Sequence, residues 1–107
     1  MLRRREVVVT GIGLATPLGD SLDRFASALY AQTGCFESMA LAHSRSIPAA
    51  RVHEDTGAGL SRTESAVADR CTRLALLAAT RAFDNAQMAA GGGAAQCGVF
   101  VGCGTGP

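Results

Sequence analysis

Val7-Val8-Val9-Thr10-Gly11-Ile12-Gly13-Leu14-Ala15-Thr16-Pro17-Leu18-Gly19 opens as a β-branched run and empties into glycines and a proline. Branched side chains suit a pleated surface, and the glycines mark the exit into a turn. The stretch predicts a buried first strand over about 6–11. Asp20 or Ser21 then caps a helix over about 21–32, its side-chain oxygen accepting an orphan amide hydrogen bond. Leu22, Phe25, Ala26, Leu29 and Tyr30 recur at i, i+3, i+4, i+7 and i+8 and form one apolar face. Thr33-Gly34 ends the helix.

At the other end, Cys97-Gly98-Val99-Phe100-Val101-Gly102-Cys103-Gly104-Thr105-Gly106-Pro107 is a short apolar run bounded by glycines. That is the pattern of a strand covered on both faces, here over about 97–102, entering a glycine-rich loop. Such a strand sits inside a sheet, so the reading expects the front portion of a larger protein with more chain to follow. Between the ends, residues 34–62 form an irregular excursion with room only for a short strand about Arg51-Val52. Ser61 or Thr63 caps a second helix over about 63–88, and Ser61-Arg62-Thr63-Glu64 fits a capping box. Val67, Cys71, Leu74, Ala75, Ala78 and Ala82 line one face of it, widened by Leu76, Leu77, Ala79 and Phe83, as a helix buried against a sheet requires. Gly91-Gly92-Gly93 breaks it. The order β, α, excursion, α, β predicts an α/β fold with a largely parallel, helix-covered sheet, residues 1–107 being one incomplete domain.

Composition narrows function by exclusion. The chain has 107 residues, 48% hydrophobic and 18% charged, with no Trp and a net charge of +1. Nothing there recommends nucleic acid as a partner. Arg3-Arg4-Arg5 reads as a solvated lead-in to the first strand. Glu6 follows it and glycines interrupt the apolar run, so a signal peptide is poorly supported. No stretch approaches the ~20 apolar residues of a membrane span, and a cytoplasmic location is expected. Cys35, Cys71, Cys97 and Cys103 form no CxxC pair, and neither His43 nor His53 completes a zinc spacing. In a reducing cytosol the four read as thiols serving as small hydrophobes. No metal site, cofactor-binding residue or catalytic residue is assigned.

A strand followed by Gly11-Ile12-Gly13 invites comparison with a dinucleotide-binding turn. The third glycine of that fingerprint is missing, and Pro17 falls inside the helix that would have to aim its amides at a pyrophosphate. With no Lys in the chain, a phosphate loop of the G-x-x-x-x-G-K-[ST] type is excluded.

Val7 to Gly19 instead resembles the opening V-V-[VI]-T-G-x-G-x-x-[ST]-P-L-G segment of the elongating β-ketoacyl-[acyl-carrier-protein] synthases. Asp69-Arg70-Cys71-Thr72-Arg73-Leu74-Ala75-Leu76-Leu77-Ala78-Ala79 is similar to that family's D-R-x-x-x-L-A-x-x-A-A helix. Gly98 to Gly106 is similar to its G-V-x-x-G-[TS]-G-x-G strand and loop. The three come in the family's order and span nearly the whole chain. The Thr16-Pro17-Leu18-Gly19 turn separates it from modular polyketide ketosynthases and from biosynthetic thiolases.

The resemblance implies the N-terminal portion of a thiolase-like fold, layered βαβαβ, in an acyltransferase. Such enzymes condense an acyl chain with a malonyl unit held on acyl carrier protein, releasing carbon dioxide. Acyl carrier protein is therefore the implied partner, with a homodimer or a ketosynthase-like heterodimer as the implied assembly. The family's nucleophilic cysteine stands in an A-C-[SA]-[ST] segment, and no cysteine here has that context. Cys103 aligns with the Thr or Ser before a glycine, Cys35 with an aliphatic position, and neither histidine matches a catalytic motif. The loop Gly104, Thr105, Gly106 corresponds to one that leads toward the acyl pocket and dimer interface, or is simply a strand-ending turn; Pro107 replaces a usual Gly. The rival reading is a non-catalytic partner of the chain-length-factor type.

Overall fold

The structure is a computed structural model that describes residues 6–54, 60–88 and 97–104. Its elements in chain order are α1 (Leu22–Tyr30), β1 (Phe36–Leu41), β2 (Arg45–Ala50), α2 (Arg62–Val67) and α3 (Arg70–Asn85). The chain is thus mixed helix and strand.

The turn before α1 is built as its residues dictate. Thr16 and Gly19 exchange backbone hydrogen bonds at 3.3 and 3.2 Å across Pro17-Leu18, and the Thr16 hydroxyl donates to the Gly19 carbonyl at 2.9 Å. Gly19 has φ +144°, which a side chain rarely tolerates. Of the two candidate caps Ser21 is the one used, its Oγ accepting from the Arg24 amide at 3.3 Å, while Asp20 pairs with the Arg24 guanidinium at 3.1 Å. α1 closes with Gln32 left-handed (φ 53°), its amide on the Leu29 carbonyl and that of Thr33 on Ala28. α3 closes identically with Gln87 at φ 54°. Both ends are Schellman motifs carrying glutamine where glycine is usual.

Where one helix over 63–88 is expected, two stand. The Ser61–Glu64 capping box forms, with Ser61 Oγ accepting from the Glu64 amide at 3.2 Å and the Ser61 amide donating to Glu64 Oε2 at 2.8 Å. Ala68 then leaves helical geometry and Asp69 starts a new helix by accepting from the Thr72 amide at 2.7 Å. Aspartate is a strong cap and a poor interior helix residue, so the periodicity continues while the backbone breaks. Arg73 spans the elbow, donating from Nε to the Ala68 carbonyl at 2.9 Å and from Nη2 to that of Ser65 at 2.5 Å.

The sheet is a correction to the expectation. Among the described residues it has two strands, β1 and β2, paired antiparallel from Phe36↔Ala50 to Leu41↔Arg45. It arises within the stretch read as an irregular excursion, and Arg51-Val52 lies beyond its end. No strand forms over 6–11 or 97–102, so the parallel pairing is not made. Their valine-rich runs are open to solvent: Val7 is 92% exposed and Phe100 97%. The reason is topological. A hairpin closes over three residues, whereas parallel neighbours need a long crossover and cover on both faces. None of the described residues is buried, and the radius of gyration is 17.6 Å against about 13 Å for a compact chain of this length. No helix of the described residues is long and apolar enough to cross a membrane.

Candidate functional site

Gly11–Leu14 crosses α3, and long-range hydrogen bonds hold it there. Ala78, Ala82 and Ala86 are spaced four apart and make a ridge of small side chains along that helix. Gly11 and Gly13 seat on it. A Cβ on Gly11 would meet the Ala86 Cβ at 2.6 Å and the Ala82 carbonyl oxygen closer still; one on Gly13 would meet the Ala82 nitrogen at 2.5 Å and the Ala78 carbonyl closer. The G-x-G spacing therefore serves a backbone-to-helix approach, and no amide cradle for phosphate is needed to explain it.

Polar groups pin the crossing. The Ile12 amide donates to Asn85 Oδ1 at 3.0 Å, and Arg81 Nη1 donates to the Leu14 carbonyl at 2.7 Å. Arg81 also grips the Glu54 carboxylate with both terminal nitrogens; Nη1 lies 3.0 Å from Oε2, and Nη2 forms the second contact with Oε1. Both side chains are about a quarter exposed (25% and 26%), and Glu54 raises the Arg81 pKa further. A two-pronged pair of this kind holds direction as well as charge. Arg70 Nη2 donates to the Val52 carbonyl and ties the same loop to the start of α3.

An open cleft of about 360 Å³ lies beside this crossing, bordered by Gly13, Leu14, Asp20, Asp23, Arg81 and Asp84. Three carboxylates stand there against one arginine already committed to Glu54, which suits neither a phosphate nor a carboxylate ligand. Among the described residues no group of three or more metal-ligating side chains converges.

Among the described residues the thiols and imidazoles form no cluster of three or more. His43 sits in the hairpin turn with φ 66°, and His53 Nε2 lies 2.9 Å from Glu37 Oε1. That is an ion-pair distance without hydrogen-bond alignment, and Arg51 Nε stands 3.6 Å from the same oxygen. Cys35 is half-buried between α1 and β1. Cys71 lies in the first turn of α3, its Sγ 3.7 Å from that of Cys103. The Cys103 sulfur holds the Cys71 thiol above its ordinary pKa, first by hydrogen bonding and then by charge, with desolvation and the nearby Asp69 adding to the shift. A thiol so placed is the reverse of an activated nucleophile. Of the loop singled out in the sequence, Gly104 is exposed, while Thr105 and Gly106 lie outside the described residues. The Arg81–Glu54 anchor escapes sequence reasoning altogether, since its members stand 27 positions apart and no local pattern links them.

In a comparison with known families, the model described as beta-ketoacyl synthase, N-terminal domain, matches residues 4–106. A search of curated proteins and a search of solved structures each found nothing similar to the chain.

Proposed function

The chain belongs to the β-ketoacyl synthase family, through its N-terminal domain, and from that premise we propose that it is the N-terminal portion of a β-ketoacyl-[acyl-carrier-protein] synthase. The parent protein would be an acyltransferase that joins acyl and malonyl thioesters by decarboxylative Claisen condensation in fatty-acid or type II polyketide synthesis. Acyl carrier protein would present both substrates, and the location would be the cytoplasm. The observation that carries the reading is that one family model spans 4–106, taking in all three motifs in order.

We infer further that residues 1–107 alone are catalytically inert. A condensing enzyme needs a thiolate nucleophile, an imidazole pair or its equivalent, and amides aimed at the thioester oxygen. His53 Nε2 lies 2.9 Å from Glu37 Oε1, and the Cys103 sulfur raises the Cys71 pKa, the opposite of thiolate activation. The bare valine-rich segments support the same reading, because large exposed apolar stretches mark surfaces that another part of a fold covers. A thiolase-like layered sheet completed by further chain is that cover, and the loop from Gly104 through Thr105 and Gly106 would shape the acyl pocket within it.

Two measurements test this. Isolated chain incubated with acyl- and malonyl-acyl carrier protein should yield no β-ketoacyl product by mass spectrometry; elongation would sink the inert assignment. Reading the coding frame past codon 107 should reveal an A-C-[SA]-[ST] segment and later histidine motifs. A continuation with another residue at the nucleophile position would make the parent a non-catalytic chain-length-factor-type subunit.

A further inference from the structure

Cys71 and Cys103 come from different parts of the chain, 32 residues apart, yet their sulfurs stand 3.7 Å from each other. A disulfide is about 2.05 Å long, so bond formation needs an approach of under about 2 Å. In the 107-residue chain both side chains are exposed, and a small oxidant reaches them from solvent. We propose that Cys71 and Cys103 are a redox-modification site, closing to an intramolecular disulfide by exchange with a low-molecular-weight disulfide such as oxidised glutathione and stapling residues 97–104 to the start of α3.

The chemistry balances without any other reagent. The Cys103 thiolate attacks one sulfur of the oxidant, forming a mixed disulfide and releasing one glutathione thiolate. Cys71 gives its proton to solvent and attacks the Cys103 sulfur; the new S–S bond forms as the second glutathione thiolate leaves. Two protein thiols are oxidised to one disulfide, one small disulfide is reduced to two thiols, and the two protons end on the glutathione. Neither step calls on acyl transfer, so the site stands independently of the condensing reaction.

Cys97 makes the inference sharp. It is six residues from Cys103, and in an unfolded chain the short ring wins. The three-halves power of loop length favours Cys97–Cys103 over Cys71–Cys103 by roughly tenfold. In the folded chain the Cys71 and Cys103 sulfurs are already within reach, so folding is expected to shift the pairing toward Cys71–Cys103.

The test equilibrates the full chain at low concentration in a graded series of oxidised and reduced glutathione, quenches with acid and maps the peptides without reduction. Trypsin releases Cys71-Thr72-Arg73 and leaves Cys97 and Cys103 on one peptide, where fragmentation between them assigns the bridge. In native buffer the Cys71–Cys103 link should exceed Cys97–Cys103 by at least tenfold, and in concentrated urea the ratio should invert. Cys103→Ser should abolish the link to Cys71, while Cys97→Ser should leave it. The same ratio in native buffer and urea would overturn the proposal. So would a Cys71 bridge that survives Cys103→Ser, or glutathione adducts on Cys71 and Cys103 that never close.

Discussion

The hairpin at residues 36–50 and the valine-rich segments at 6–11 and 97–102 treat strand formation in opposite ways. Phe36–Leu41 and Arg45–Ala50 include a glutamate, two serines and a proline, a poor strand composition, yet they pair along their whole length. Val7-Val8-Val9 and Val99-Phe100-Val101 have the composition of core strands and lie bare. Proximity separates them. Three residues close the hairpin, and as both its strands are edges, Pro48 can sit in one without breaking a ladder. The valine-rich segments need partners on both sides and helices above and below, which only a larger sheet provides. Strand propensity is a statement about an environment, and the environment is present for neither of them among the described residues.

The largest expected effect tests the point where the N-terminal segment stops being bare. Gly13→Val places side-chain atoms against the backbone of Ala78 and Ala82, a clash of about 3 kcal/mol or more. The Ile12 amide, which donates to Asn85, should then exchange hydrogen as fast as an unstructured peptide, with the hairpin unchanged. Retained protection at Ile12 would show that the segment does not rely on the glycine approach.

Next come the helix caps, which stand on local residues alone. Ser61→Ala removes one half of the capping box and should destabilise α2 by about 1 kcal/mol, read as lost signal at 222 nm. Acid should act on the same feature. Hydrogen bonds from Ser61 hold the Glu64 pKa down, and those from Thr72 hold Asp69 down. The carboxylates therefore stabilise the fold above their ordinary range near pH 4, and that contribution is lost as pH falls through the depressed values. Helical signal should decline on acidification below about pH 4, and Asp69→Asn should flatten the decline; an unchanged titration would separate the caps from the pH dependence.

Smaller effects probe the two regions themselves. Ser44 sits at φ 59° in the hairpin turn, which disfavours a side chain by about 1–2 kcal/mol. Ser44→Gly relieves that and gives back about 0.5–1 kcal/mol as chain entropy. The net gain of about 0.5 kcal/mol should raise the hairpin's folding equilibrium constant about twofold, read from cross-strand nuclear Overhauser contacts. Val99→Thr should change the stability of this chain by less than about 0.5 kcal/mol, because Val99 is 88% exposed. A larger loss on thermal melting would mean that the bare segment has a partner after all.

Sequence reading went furthest where the cause is local. The Thr16–Gly19 turn, the Ser61 capping box and the helical periodicity are each set by residues within a few positions of one another, and the family was legible because its motifs are such clusters. The hairpin was hidden because Phe36-Glu37-Ser38-Met39-Ala40-Leu41 does not alternate cleanly between apolar and polar, and Glu37 turns to the half-buried side while Phe36 stays exposed. The break at Asp69 was hidden because the apolar stripe runs through it.

By itself, the order of residues showed the Thr16–Gly19 turn, the Ser61–Glu64 capping box, the apolar helix faces and the family, since hydrogen-bonding side chains and backbone preferences act over a few residues. Tertiary structure alone decided that Gly11 and Gly13 lie on the alanine ridge of α3, that Arg81 joins Glu54 to Leu14, and that Cys71 faces Cys103. Those meetings depend on where distant segments arrive, and that is governed by steric fit and loop closure, which no single stretch of the chain encodes.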